Sequence, residues 1–190
     1  MKVTTLHKIA FQQNCEKLFS MVDIKPDVVV GILNGGGFVL EEFKKTAKPN
    51  IEFTTVKLQR DSTKSIKKRS FLQKYLKATP STLLDGLRRM EHRLNLNRKL
   101  KEIQSDLEII IKSKPEAVNT ILILDDALDS GITIKSVIQS LQQQFPNSEI
   151  KTAVISWTSS HSIIDPDYYM FKNTLVRFPW SLDYKTKRHD

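Results

Sequence analysis

Cysteine is almost missing from this chain. Its 190 residues hold one, Cys15, so no intrachain disulfide is available and a reducing, cytoplasmic setting is expected. Histidine is sparse too, and His7, His92, His161 and His189 share no metal-ligand spacing. No apolar run approaches the roughly 18 residues of a membrane helix, and the opening MKVTTLHK has no apolar signal-peptide core. No RNP-like aromatic motif, zinc-ligand spacing or helix-turn-helix signature is present. Disulfide-stapled, membrane-spanning and zinc-module classes are thereby excluded. What is there is ordinary: 39% hydrophobic and 27% charged residues, the balance of a soluble globular domain. A chain of this length buries about 70% of its unfolded surface and needs no staple.

Acidic residues run short in one place. Between Lys44 and Lys112 stand 18 Lys and Arg against 7 Asp and Glu, whereas the remainder has 12 against 14. The whole basic excess behind the net charge of +9 therefore lies in the middle third. Such a segment attracts phosphate-rich ligands or nucleic acid, or is a solvated helical face.

Periodicity organises the rest. Residues 7–22 read as an amphipathic helix with Ile9, Ala10, Leu18, Phe19 and Val22 near one face. VVVGIL at 28–33 is a short, continuous apolar run, the pattern of a strand buried on both faces of a parallel sheet. It ends in Asn34-Gly35-Gly36-Gly37, and a helix is expected from Phe38 to about Ala47. A strand is expected over 51–58. A basic loop follows over 59–80, then helical spacing through Leu83, Leu87, Met90 and Leu94, and again from Leu96 to Ile110. ILIL at 121–124 is a second buried strand, Ile134 to Phe145 mark a helix, and 151–157 a further strand. Strand, loop, helix, strand is the order of parallel α/β architecture, in which ligands bind beyond the carboxyl ends of the strands.

The chemistry concentrates in ILILDDALDSGIT, residues 121–133. A buried strand delivers Asp125 and Asp126 to the sheet edge, pointing to opposite sides. Asp129, Ser130, Gly131, Ile132 and Thr133 then lead straight into a helix. Its free N–H groups and dipole favour an anion, Gly131 permits close backbone approach, and the hydroxyls add donors. Acids beside an anion cradle suit a sugar phosphate.

This segment resembles the phosphoribosyl-pyrophosphate (PRPP) motif of type I phosphoribosyltransferases, in which an apolar strand precedes two acids and a Thr/Ser-Gly-x-Thr loop. DVVVGILNGGG at 27–37 resembles the same family's pyrophosphate loop, with Asn34 where many members carry Lys or Arg. The tail, with FPW and LDY, is similar to the end of hypoxanthine- and xanthine-guanine-type members. The resemblance covers roughly 20–45 and 120–158. It implies one domain with a parallel sheet, helices on both faces, a helical insertion within 59–114 and a small C-terminal hood. The basic 60–77 segment is the candidate lid.

The implied activity is transfer of ribose 5-phosphate from PRPP to a purine-like base, with magnesium accompanying the pyrophosphate. The resemblance implies Asp125 and Asp126 at the ribose hydroxyls and magnesium shell, and Asp129 as the group handling the base proton. Ser130, Gly131, Ile132 and Thr133 would hold the 5′-phosphate, with Ala127 and Leu128 in the same binding stretch. Asn34, Gly35 and Gly36 would hold pyrophosphate. At the base site Leu175 or Val176 occupies the family's stacking position, and 156–158 stands where a lysine is common. Trp157 and Trp180 are the candidate substitutes, weighed against a buried core role for each, and Asp183 is a candidate second magnesium contact. A homodimer is expected. The competing reading is a PRPP-binding regulator that uses its basic segment on nucleic acid.

Overall fold

The two continuous apolar runs become the central strands of a sheet. The structure is a computed structural model that describes residues 1–58, 79–96, 107, 109–159 and 161–185. β1 (Lys2–Thr5) stands apart from this sheet; β2 (Val28–Ile32) is buried at every position. β4 (Thr120–Leu128) is buried from Ile121 to Asp125. With β3 (Glu52–Val56), β5 (Glu149–Trp157) and β6 (Tyr168–Lys172) they form one sheet of order β3-β2-β4-β5-β6, parallel throughout. Strands without a polar alternation need cover on both faces, and they have it. α1 (Lys8–Met21) and α2 (Gly35–Thr46) bring Phe11, Cys15, Leu18, Val39, Leu40 and Phe43 against Val29, Leu122 and Leu124. On the other face α4 (Ile132–Gln144) sets Ile134, Val137 and Leu141 on Val28, Val30, Ile121 and Ile123. Each such side chain contributes roughly 1.5–3 kcal/mol on burial.

The order of the strands decides where a ligand fits. From β2 the chain crosses by α2 toward one edge; from β4 it crosses by α4, on the opposite face, toward the other. Adjacent β2 and β4 therefore part company at their carboxyl ends, and the crevice of a parallel sheet opens at such a switch point. Asp27 pins the far ends of the pair, its Oδ2 accepting from the backbone N–H of Asn119 at 2.8 Å and Thr120 at 3.0 Å.

A second sheet joins the chain's two ends: β1 runs parallel to β7 (Thr174–Arg177). The C-terminal hood thus includes an N-terminal strand that four residues of mixed polarity do not announce. α3 (Ser81–Leu96) buries Leu84 and is tied to this sheet by ions. Arg177 bonds Asp85 at 2.7 Å, Asp183 at 2.8 Å and the Thr5 hydroxyl at 2.9 Å; Arg88 bonds Asp183 at 2.8 Å.

Several expectations need correction. Ile9 is 61% exposed, because α1 turns Phe11, Cys15 and Leu18 inward instead. α2 begins at Gly35, so the glycine run is the helix's first turn, not a turn before it. The apolar stripe Leu83, Leu87 and Met90 faces outward, since α3 docks through Leu84, Asp85 and Arg88. Residues 107 and 109–112 are not helical; Leu107, Ile109 and Ile111 pack along the sheet, and the Ile110 carbonyl accepts from Thr54 Oγ1 at 2.9 Å. The expected lid at 60–77 lies outside the described residues.

Candidate active site

β4 continues through both acids to Leu128, so their placement is that of strand residues, with the strand's alternation. Asp125 is buried, and its Oδ1 accepts the Asp126 backbone N–H at 2.8 Å. Asp126 turns to the α2 face. A Cβ on Gly35 would stand 2.0 Å from its carboxyl carbon, so the carboxylate lies flat on the bare backbone that opens α2. Gly36 is pressed against the strand itself: a Cβ there would stand 2.3 Å from the Leu124 carbonyl oxygen. Glycine is required at both positions by close approach, not by an unusual φ. Asn34 caps α2 from an exposed position with no side-chain capping bond, after a cis Leu33–Asn34 peptide.

Burial pushes the Asp126 carboxyl above the usual carboxylate range; its bonds with Asp125 and with the Trp180 indole offset this in part. The Trp180 Nε1–H donates to Asp126 Oδ2 at 3.1 Å.

Beyond the acids the chain turns sharply into α4. Gly131 is the N-cap at φ 80, the left-handed region that a side chain resists. A Cβ there would also strike Ile164 at 2.9 Å. The Ile163 N–H donates to the Ser130 carbonyl at 2.9 Å, so the β5–β6 connection backs the turn. Ser130, Ile132 and Thr133 are half-buried at the helix start, with the Ile132 N–H at 3.4 Å from Ser130 Oγ. Asp129 is exposed, and the Thr158 hydroxyl donates to its Oδ1. Ala127 is half-buried, while Leu128 belongs to the core and its carbonyl accepts the Thr158 N–H at 2.9 Å.

The residues expected around a base are placed differently. Leu175 and Val176 are buried in β7, Val176 within the core. Trp157 is a core residue: its indole N–H donates to Ser162 at 2.9 Å and Lys172 Nζ sits 4.0 Å over its ring. Trp180 lies at the acids, but through its N–H and within an aromatic stack. Asp183 is held by two guanidiniums, far from a free metal ligand. Burial raises its carboxyl, and the bonds from Arg88 and Arg177 outweigh that and hold it below the usual range. Among the described residues no group of three or more His, Cys, Asp or Glu is arranged to hold a metal.

Two partners were not anticipated: Thr158 on Asp129, and Trp180 on Asp126. The first had a usable signal. Leu128 pairs with Trp157, so the residue after each strand lies at the same sheet edge. The second joins residues 54 apart and has no local signal.

The phosphoribosyl transferase domain family matches residues 3–187. This chain belongs to that family. Among solved structures it is similar to the purine phosphoribosyltransferase from Pyrococcus horikoshii Ot3, at 17% identity, TM-score 0.59 and all of both chains. It is similar to the Helicobacter pylori xanthine-guanine-hypoxanthine phosphoribosyltransferase at 15% identity and TM-score 0.59, over 95% of both chains. A Bacillus anthracis str. 'Ames Ancestor' hypoxanthine-guanine phosphoribosyltransferase gives 11% identity and TM-score 0.54, over 89% of this chain and 82% of that one. At such identities the likeness defines the fold. No curated protein matches the sequence. No described helix is long and apolar enough to cross a membrane.

Proposed function

We propose that this protein transfers ribose 5-phosphate from PRPP to a ring nitrogen of a purine-type base and releases pyrophosphate. The observation that most supports this is the contact of Gly35 with the Asp126 carboxylate. It joins two turns 91 residues apart at the switch point of the sheet. The turn at Ser130–Thr133 supplies N–H groups and hydroxyls for the 5′-phosphate. Asn34, Gly35 and Gly36 supply backbone donors for pyrophosphate, with no charge from Asn34. Asp125 and Asp126 take the ribose hydroxyls.

The step is a substitution at the anomeric carbon. The base nitrogen forms its bond to C1 as the C1–oxygen bond breaks, and the electron pair leaves with pyrophosphate. The proton of that nitrogen passes to Asp129, whose exposed carboxylate is oriented by Thr158. The remaining contribution is positioning and electrostatics. Magnesium fits the pair Asp125 and Asp126, since it favours one or two carboxylates with substrate oxygens; it would neutralise charge on the pyrophosphate. Asp183 is not part of that set, because both its oxygens already accept from arginine. Buried Cys15 suits a reducing cytoplasm, and the family resemblance implies a homodimer, which sedimentation reads directly.

The test is pyrophosphate release from PRPP and magnesium with a panel of nucleobases. Asp129→Asn is expected to cut turnover about 100- to 10,000-fold while PRPP affinity stays close to wild type. Binding of PRPP with no turnover on any base refutes the enzyme and leaves the regulator, whose nucleic-acid affinity would respond to PRPP and to salt.

A further inference from the structure

Trp180 is the residue of the hood that reaches the acids, and its ring is held independently of the bond it makes. Phe178, Pro179, Trp180 and Ser181 form a closed turn: the Ser181 N–H donates to the Phe178 carbonyl at 2.9 Å, and the Phe178 N–H to Ser181 Oγ at 3.0 Å. Proline at the second position of such a turn sets its backbone in advance. The indole lies between two rings, Phe38 at 4.3 Å and 19° and Phe178 at 4.9 Å and 6°, with Phe11 edge-on at 5.0 Å. Arg177 and Asp183, just outside the turn, are anchored to α3. The direction of the indole N–H is therefore fixed by packing from α1, α2 and the hood.

We propose that Trp180 is a positioning residue for the PRPP site, its indole N–H fixing the Asp126 carboxylate against the first turn of α2. This rests on the reading of 125–133 as that site. Asp126 has little room to choose: Gly35 lies along one side and the indole closes on one oxygen. Asp125 is its other side-chain partner, so the carboxylate is held in a set orientation. Phe38 belongs to the same helical turn as the glycines, so the stack also links the pyrophosphate turn to the ribose acid.

Trp180→Phe keeps a ring in the stack and removes the N–H. Magnesium-PRPP is expected to bind roughly tenfold to a hundredfold more weakly, the scale of a hydrogen bond to a charged group. In an Asp126→Asn background the same change is expected to cost little more. Unchanged affinity overturns the proposal, and so does full additivity with Asp126→Asn, which would mark a packing role. A ligand-free measurement separates this from the parent reading. Asp126→Asn should shift the tryptophan emission of the ligand-free protein, and the same substitution should leave the emission unchanged in a Trp180→Phe background. If Asp126→Asn leaves the wild-type emission unchanged, or shifts it equally in Trp180→Phe, the Trp180–Asp126 coupling is wrong. If the emission behaves as expected and wild type binds no PRPP, the site reading fails and the proposed role falls with it.

Discussion

Three glycines can be given the same methyl group with three different results. At Gly35 the new Cβ would lie 2.0–2.2 Å from the Asp126 carboxylate, the end of a side chain that can rotate away. Gly35→Ala should therefore displace Asp126 and strand the Trp180 N–H, a loss of about 1–3 kcal/mol. Its larger effect should be on PRPP affinity. At Gly36 the Cβ would meet the Leu124 carbonyl at 2.3 Å and the Asp125 Cα at 2.9 Å. Neither atom can rotate away, so α2 must lift from β4, at an overpacking cost of about 1–3 kcal/mol or more. For a domain near this size that lowers Tm by roughly 2–4 °C per kcal/mol. At Gly86, inside α3, a Cβ meets nothing within 4 Å. Gly86→Ala should stabilise the protein by about 0.5–1 kcal/mol through helix propensity. Calorimetric unfolding of the three variants, with PRPP titrations, measures each result. A Gly36→Ala protein as stable as Gly86→Ala would refute the close approach of α2 to β4.

Asp126→Asn should raise stability at neutral pH while weakening PRPP by about 1–3 kcal/mol. A carboxyl held above its unfolded pKa costs stability as pH rises past that value, so the advantage of Asn should vanish in acid, as unfolding at several pH values will show. Asp183→Asn should act in the opposite sense. Its depressed carboxyl contributes stability that is complete above the ordinary pKa of about 3.9 and is lost as pH falls through the folded value. Removing it leaves buried Arg177 and half-buried Arg88 short of a partner, at about 3 kcal/mol near neutrality by denaturant unfolding. Burial, with the Glu42 charge, pushes the Cys15 thiol up to about 12, so native protein should react with a thiol reagent only as fast as it opens, and denatured protein at once.

The parts legible in the sequence are those that local rules determine. VVVGIL and ILIL are strands because no polar alternation allows them a wet face, and DDALDSGIT keeps its turn because Gly131 must sit at φ 80. What was not legible depends on distant pairing. β1 is a strand only because β7 lies beside it, with Val3 opposite Leu175. Leu83, Leu87 and Met90 misled because periodicity marks one face of a helix without naming its neighbour; α3 is oriented by Asp85 and Arg88 instead. The acids are legible by their chemistry, whereas the bond from Trp180, read in the sequence only as a candidate base contact, joins residues 54 apart and carries no signature until the chain folds.

The features that oppose stability gather in one place. A carboxylate is buried beside another, glycines stand where a helix would gain from side chains, and a left-handed cap opens α4. Each sets a helix start or an acid at the crevice between β2 and β4, and departures from local preference collect where a fold must present chemistry. The opposite arrangement holds a short distance along the chain. Arg88, Arg177, Asp85 and Asp183 are fully paired and bind α3 to the β1–β7 sheet. Trp180 lies within that pinned segment and bonds Asp126. The satisfied ionic network therefore supports the strained acid through one indole. Loosening the network at Asp183 should weaken PRPP binding as well as the fold, although Asp183 touches neither turn of the site.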